Sequence, residues 1–353
     1  MSSSKRAVEY PFAEYPDAGT TIEVAPGIHW LSTPLPFRLR AINLYLLEDG
    51  DGWTIVDCGY SRDDVRAQWE QIWASTLKGK PVTRLIVTHF HPDHVGNAAW
   101  LSERWNLRPQ MTQAEWLTAN LAEKNLNTDN IEHRHDFYIA NGLDEVHQEV
   151  FRTGVIRYSN GVQLPPAYDR LFDGDELVIG GRTWKIIVGQ GHSPEHASLY
   201  SDEIGVLIAG DQLLPEITTN VSVWPGEPDA DALGLFLHSL DRFETALRPD
   251  TLVLPAHRRP FRNVHTRIAE LKHHHRERLD SILAVATKGP VTAGGLLTHL
   301  FPPGLDGHQI GFAMGEAVAH LNYLVNTGAL RRYSDGGVTR FALIERPSKE
   351  NAA

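Results

Sequence analysis

Cysteine is nearly absent. Cys58 is the single one in 353 residues, so no disulfide can close within the chain. Long apolar runs are missing as well. None approaches the roughly 20 residues needed to span a bilayer, and the stretch from Met1 to Tyr15 is polar and lacks the apolar core of a signal peptide. No membrane contact is therefore expected, and the cytoplasm is the expected compartment. Positive charge is scarce: 33 Lys and Arg stand against 44 Asp and Glu, a formal net charge of -11. An acidic chain repels phosphate backbones on average, which argues against non-specific nucleic-acid binding while leaving room for a local basic groove. With 42% apolar and 22% charged residues, disorder is excluded too.

Histidine, in contrast, is plentiful, with 18 copies. Their value depends on where strands and turns place them. The first part of the chain reads as strands. Thr21 to Leu35 alternates around a turn at Pro26-Gly27, and Ala41 to Leu47 and Trp53 to Val56 are joined by a Glu48-Asp49-Gly50-Asp51-Gly52 hairpin loop. Ser61 to Ser75 has helical spacing of Val65, Trp69 and Ile72, with Ser61 as the expected N-cap. Arg84 to Thr88 reads as a short strand and Val95 to Trp105 as helix. About 112–160 reads as mostly helical. Strands resume at Glu176 to Ile179, Trp184 to Val188, Ala197 to Tyr200, Gly205 to Ile208 and Thr251 to Leu254, with a helix at Asp229 to Leu247 before the last of them. Beyond Arg262 the pattern changes. Helices are expected at Val264 to Ala286, Thr292 to Leu300 and Gly311 to Thr327, then a hairpin around Asp335-Gly336-Gly337, which is the winged-helix order. The expected division is a catalytic domain over 1–262, with a helical insert at about 112–160, and a winged-helix-like domain over 263–353.

The segment Thr88-His89-Phe90-His91-Pro92-Asp93-His94 packs three imidazoles and a carboxylate into one loop directly after a strand. His89 and His91 are two apart and can converge on one ion. Asp93 and His94 leave the loop in another direction and suit a second. Such a nitrogen and oxygen set is the kind that zinc and similar metals favour.

This loop resembles the HxHxDH signature of the metallo-β-lactamase superfamily. Four further elements resemble that family in its order: Val56-Asp57-Cys58-Gly59, Gly191-His192-Ser193-Pro194-Glu195-His196, Gly210-Asp211, and Pro255-Ala256-His257. The resemblance runs from Asp57 to His257. It implies an α/β fold, an αββα sandwich, and two divalent metal ions, zinc first, with iron or manganese as alternatives. One ion would sit on His89, His91 and His192, the other on Asp93, His94 and His257, with Asp211 between them. Asp57 would orient ligands, Asp93 would also orient water or move a proton, and His196 would support the ligands. Two positions depart from the family pattern. Cys58 replaces threonine and is expected to be a small packed residue. Glu195 replaces glycine, which is expected to alter the turn or add charge at the mouth.

The implied activity is hydrolysis by water activated between two cations. Flavodiiron chemistry is disfavoured, because that branch needs a carboxylate where His91 stands. The insert resembles the lid of glyoxalase-II-like and lactonase-like members, with Trp116, Tyr138 and Tyr158 as expected pocket-wall residues. The tail resembles that of lactamase-like protein 2, and is expected to be structural or to form a homodimer. The expected substrate is a small-molecule thioester, ester or lactone. The alternative is a metal-dependent endoribonuclease acting on single-stranded RNA; a degenerate binding protein is disfavoured because no ligand is missing.

Overall fold

The computed structural model describes residues 7–126, 130–154 and 156–344. They fall into two compact units, neither continuous in sequence: 1–127, 157–219 and 236–271 make the first, and 128–156, 220–235 and 272–353 the second.

Two sheets form the centre of the first unit. One has seven strands in chain order: β1 (Ile22–Ala25), β2 (Ile28–Pro34), β3 (Ala41–Asp49), β4 (Gly52–Val56), β5 (Val82–Ile86), β6 (Pro109–Met111) and β7 (Asp169–Arg170). The other has five: β8 (Glu176–Ile179), β9 (Arg182–Gly189), β10 (His196–Ser201), β11 (Val206–Gly210) and β12 (Leu252–Pro255), in the order β12-β11-β10-β9-β8. The central strands β3, β4, β11 and β12 are buried on both faces, as strands covered on two sides must be. In β3 the side chains alternate between two cores: Ile42, Leu44 and Leu46 enter one, Tyr45 and Leu47 the other. Leu31 and Trp30, Ile55 and Val56, and Leu85 and Ile86 divide in the same way.

The core between the sheets joins Trp30, Tyr45, Val56 and Ile86 to Trp184, Ile186, Leu199, Ile208 and Leu254. The core on the outer face of the first sheet takes Val65, Trp69 and Ile72 from α1 (Asp63–Ser75) and Leu101 from α3 (Ala98–Trp105). A single turn, α2 (Pro92–Val95), precedes α3, and α4 (Gln113–Glu123) follows it. On the second sheet, residues of α7 (Ala232–Ala246) reach β9: Arg242 donates to the carbonyl of Val188 at 3.0 Å, and Ser239 accepts from the N–H of Gln190 at 2.9 Å, one residue past the strand. The layers are therefore αββα. Arg62 rather than Ser61 occupies the N-cap of α1, and the Ser61 hydroxyl accepts from Arg66 instead. The short parallel strands β6 and β7 carry no run long enough to register as strands in the sequence.

The second unit holds α5 (Ile131–Ala140) and α6 (Glu145–Gly154) from the insert, with most of α8 (Val264–Ala286), then α9 (Ala293–Leu300), α10 (Gly307–Asn326) and the antiparallel hairpin β13 (Leu330–Asp335) and β14 (Val338–Leu343). Asp306 starts α10 with a reciprocal cap: its carboxylate accepts from the N–H of Gln309, and the Gln309 side chain accepts from its backbone. Helices α6 and α10 approach at Gly154 and Gly307, where a Cβ on Gly154 would lie 3.0 Å from the Gly307 Cα. The insert thus contributes α4 to one unit and α5 and α6 to the other. Among the described residues no helix is long and apolar enough to cross a membrane.

Candidate metal centre

Strands β4 and β5 are parallel, and so are β11 and β12; β9 runs the same way as β11, since each is antiparallel to β10. Asp57, His89, His192, Asp211 and His257 all lie within three residues of the carboxyl ends of these five strands. That shared direction is what gathers five distant sequence segments at one edge of the sandwich.

Two groups of donor atoms result. His89, His91, His192 and Asp211 offer four atoms within 4.8 Å of one another, and Asp93, His94 and His257 offer three. In the first group His89 Nε2 lies 2.9 Å from His91 Nδ1 and 3.2 Å from His192 Nε2. Burial, then the neighbouring histidines, holds His89 well below the usual imidazole pKa. Burial and His192 lower His91 to about 3. Both rings are neutral at physiological pH, which is the state a metal ligand requires.

In the second group carboxylates dominate. Burial would lower the pKa of His257, but Asp211 and Asp93 outweigh it and raise it to about 10. His94 is likewise raised against its burial by Asp57, Asp93 and Asp211. Burial works against the charge on Asp93 too, yet His94 and His257 bring it down to about 2. Two anions facing these imidazoles would hold either protons or a cation.

The carboxylate of Asp211 faces both groups. Its Oδ2 is 3.5 Å from His192 Nε2 and 3.6 Å from His94 Nε2, and its Oδ1 is 3.4 Å from His257 Nε2. His94 Nε2 and Asp211 Oδ1 are buried with no hydrogen-bond partner among the described residues. Such orphaned groups are costly unless something bonds them, and their convergence fits a metal pair. The rear nitrogens are already occupied. His94 Nδ1 is 2.8 Å from Asp57 Oδ2, and His257 Nδ1 is 3.1 Å from the carbonyl of Ala41, which leaves each Nε2 to face the centre.

Asp57 accepts in addition from the Thr88 N–H at 2.8 Å and the Thr88 hydroxyl at 2.9 Å. It adopts a positive φ of 65°, a conformation that costs energy for a non-glycine residue and must be held by its surroundings. His196 Nε2 accepts from the N–H of Asp211 at 3.1 Å. At Gly210, with φ of 50°, a Cβ would come within 2.4 Å of that nitrogen, so glycine is required there. Cys58 is fully buried in the core under α1, and burial pushes its thiol pKa up.

Each of the three aromatic residues expected at a pocket wall has a defined partner. Trp116 stacks on Tyr168 at 4.6 Å within the helix-side core. Tyr138 belongs to the second unit, where it is buried, packs edge-on to Phe151 and donates its hydroxyl to the Gly311 carbonyl at 2.9 Å. Tyr158 donates its hydroxyl to the carbonyl of Phe90, between His89 and His91. The residue that sequence reasoning missed is Glu115, fully buried on α4 and bonded to the segments that carry His89, His91 and His192. Its one sequence signal, Thr112-x-x-Glu115, reads as a helix capping box and points away from the metals.

Comparison with known proteins agrees with this geometry. A domain protein of the beta-lactamase type from Burkholderia ambifaria is 47% identical, with a TM-score of 0.89 over 96% of this chain and 98% of its own. A metallo-beta-lactamase family protein from Thermus thermophilus is 30% identical, with a TM-score of 0.77 over 91% of this chain and all of its own. The probable metallo-hydrolase YqjP of Bacillus subtilis is 24% identical over 324 residues, 90% of this chain and 98% of its own. Residues 279–344 match the metallo-beta-lactamase-like C-terminal domain. Residues 38–257 match the metallo-beta-lactamase superfamily, and with the buried paired donor groups in place the chain belongs to that superfamily of hydrolases.

Proposed function

We propose that this enzyme hydrolyses a small acyl substrate, a thioester, ester or lactone, with two zinc ions held by His89, His91, His192, Asp93, His94 and His257 and joined by Asp211. The observation that carries the dinuclear reading is the Asp211 carboxylate, whose oxygens face histidines of both groups at 3.4–3.6 Å. Bound cations would supply an activated water near neutral pH and polarise the scissile carbonyl. The chain's own residues orient and handle protons around that event. His91 and Asp93 keep partial exposure while the other ligands are buried, so substrate meets the centre at the His91–Asp93 loop. Asp93, held ionised, is the group there that can orient water or accept its proton.

Charge pairing supports an acyl substrate over RNA. Arg258 and Arg259, directly after His257, both face Glu216, at 4.0 and 3.6 Å. In the hairpin, Arg332 pairs with Asp229 and Arg340 with Asp335. A polynucleotide track needs cations available to phosphates, and these four are already engaged by carboxylates. We read the tail as a winged-helix-like structural or dimer-forming element and the enzyme as cytoplasmic. Metal-loaded protein assayed against acyl-CoA thioesters, lactones, simple esters and single-stranded RNA is expected to turn over an acyl substrate. Efficient metal-dependent RNA cleavage with no acyl turnover would overturn the proposal.

A further inference from the structure

Resting on the dinuclear reading, we infer that Glu115 and Tyr158 are positioning residues that set the geometry of the first ion's ligands alone. The Glu115 carboxylate is fully buried and accepts three hydrogen bonds: from the Phe90 N–H at 2.9 Å, the Ser193 hydroxyl at 2.6 Å and the Glu195 N–H at 2.7 Å. Phe90 lies between His89 and His91, and Ser193 follows His192. One carboxylate therefore ties together the two segments that carry all three histidines of the first group. The carbonyl of Phe90 is held from the other side by the Tyr158 hydroxyl, whose ring stacks on Phe90 at 6.1 Å. Phe90, the residue between His89 and His91, is thus held at both its N–H and its C=O.

Helix α4 is anchored to make this possible. Its N-cap, Thr112, makes no side-chain capping bond; its hydroxyl donates instead to the Glu195 carbonyl at 2.8 Å. The cap comes from Glu195, whose carboxylate accepts from the N–H of Ala114 at 3.1 Å. Glu195 secures α4 and Glu115, on the first turn of α4, secures the Glu195 backbone. The glutamate that departs from the family's usual glycine has this local task. None of the hydrogen bonds of Glu115 reaches Asp93, His94 or His257; His94 is oriented by Asp57 and His257 by the Ala41 carbonyl.

The test is cobalt(II) titration of metal-free protein followed by visible absorption, with His257→Ala supplying the spectrum of the first group alone. In Glu115→Gln an N–H₂ must face one of the donors that a carboxylate accepts. The band of the first group is expected to need about 10–100-fold more cobalt, the usual effect of removing an outer partner of a ligand, while the other band stays in place. Tyr158→Phe removes one hydroxyl and is expected to shift the same band in the same direction, so the test survives if Glu115→Gln folds poorly. Equal movement of both bands, or movement of neither, overturns the inference while the dinuclear reading stands. Uptake of fewer than two cobalt equivalents by the wild-type protein overturns both.

Discussion

At the scale of single residues, Asp211 has a different standing from the histidines around it. A histidine serves one ion, whereas the Asp211 oxygens face Nε2 atoms of His192, His94 and His257. Its replacement removes a carboxylate that faces both groups. Asp211→Ala is expected to keep its secondary structure by circular dichroism, retain one metal equivalent or fewer by elemental analysis, and lose activity by at least about 10²-fold, as when a key electrostatic group is removed. Near wild-type turnover with two ions retained would show that Asp211 does not join them. The reason for glycine at position 210 could not be read from its identity. For His196 the sequence suggests support of the ligands or packing, and the 3.1 Å bond from the Asp211 N–H gives the partner it supports.

Among the elements, α10 carries a group that the chemistry at the metal ligands does not use. Glu316 is almost wholly buried, and burial raises its carboxyl pKa to about 7 despite Arg278 and a hydrogen bond from Asn220. The folded chain therefore holds this proton more tightly than the unfolded chain, whose ordinary value is 4.5. Its contribution to stability is fully present below about pH 4.5 and is lost as pH rises through about 7. Ionising it in place costs on the order of 3 kcal/mol. Glu316→Gln is expected to be more stable than the wild type at pH 8 in urea denaturation, with the gap closing below pH 5. A constant gap across that range would place the origin elsewhere. The helix itself was visible in advance from its apolar spacing, but its start was expected at Gly311. The Asp306 and Gln309 cap adds one turn that hydrophobic periodicity does not mark.

For the whole molecule, the seven donor residues come from four segments spread from His89 to His257, so binding ions is binding the folded first unit. An ion that binds only the folded state stabilises it by about 2.7 kcal/mol at a hundred times its dissociation constant. Chelation is expected to lower the thermal midpoint by several degrees, and adding back zinc should restore it with close to two equivalents bound. An unchanged midpoint, or saturation at one equivalent, would contradict a dinuclear centre. In the second group, Asp211 and Asp93 raise the pKa of His257 to about 10, and Asp57, Asp93 and Asp211 raise that of His94. Metal uptake at that group should release protons, measurable as a dependence of the binding heat on buffer.

The two donor groups were legible in the sequence because they lie in short loops after apolar strands, where residue type and spacing carry the chemistry directly. Strands β2 to β5 and β8 to β12 were legible for the same reason: their apolar runs must be buried wherever they end up. Tertiary structure alone decided what joins the loops. Glu115 lies 25 residues from Phe90 and 78 from Ser193, and the separation in sequence says nothing of the 2.6–2.9 Å that the fold leaves between them. It also decided that the insert divides, with α4 in one unit and α5 and α6 in the other. Helical spacing records that a face is apolar but not which surface will cover it. An aromatic such as Trp116 or Tyr138 is therefore compatible in sequence with a pocket wall or a core.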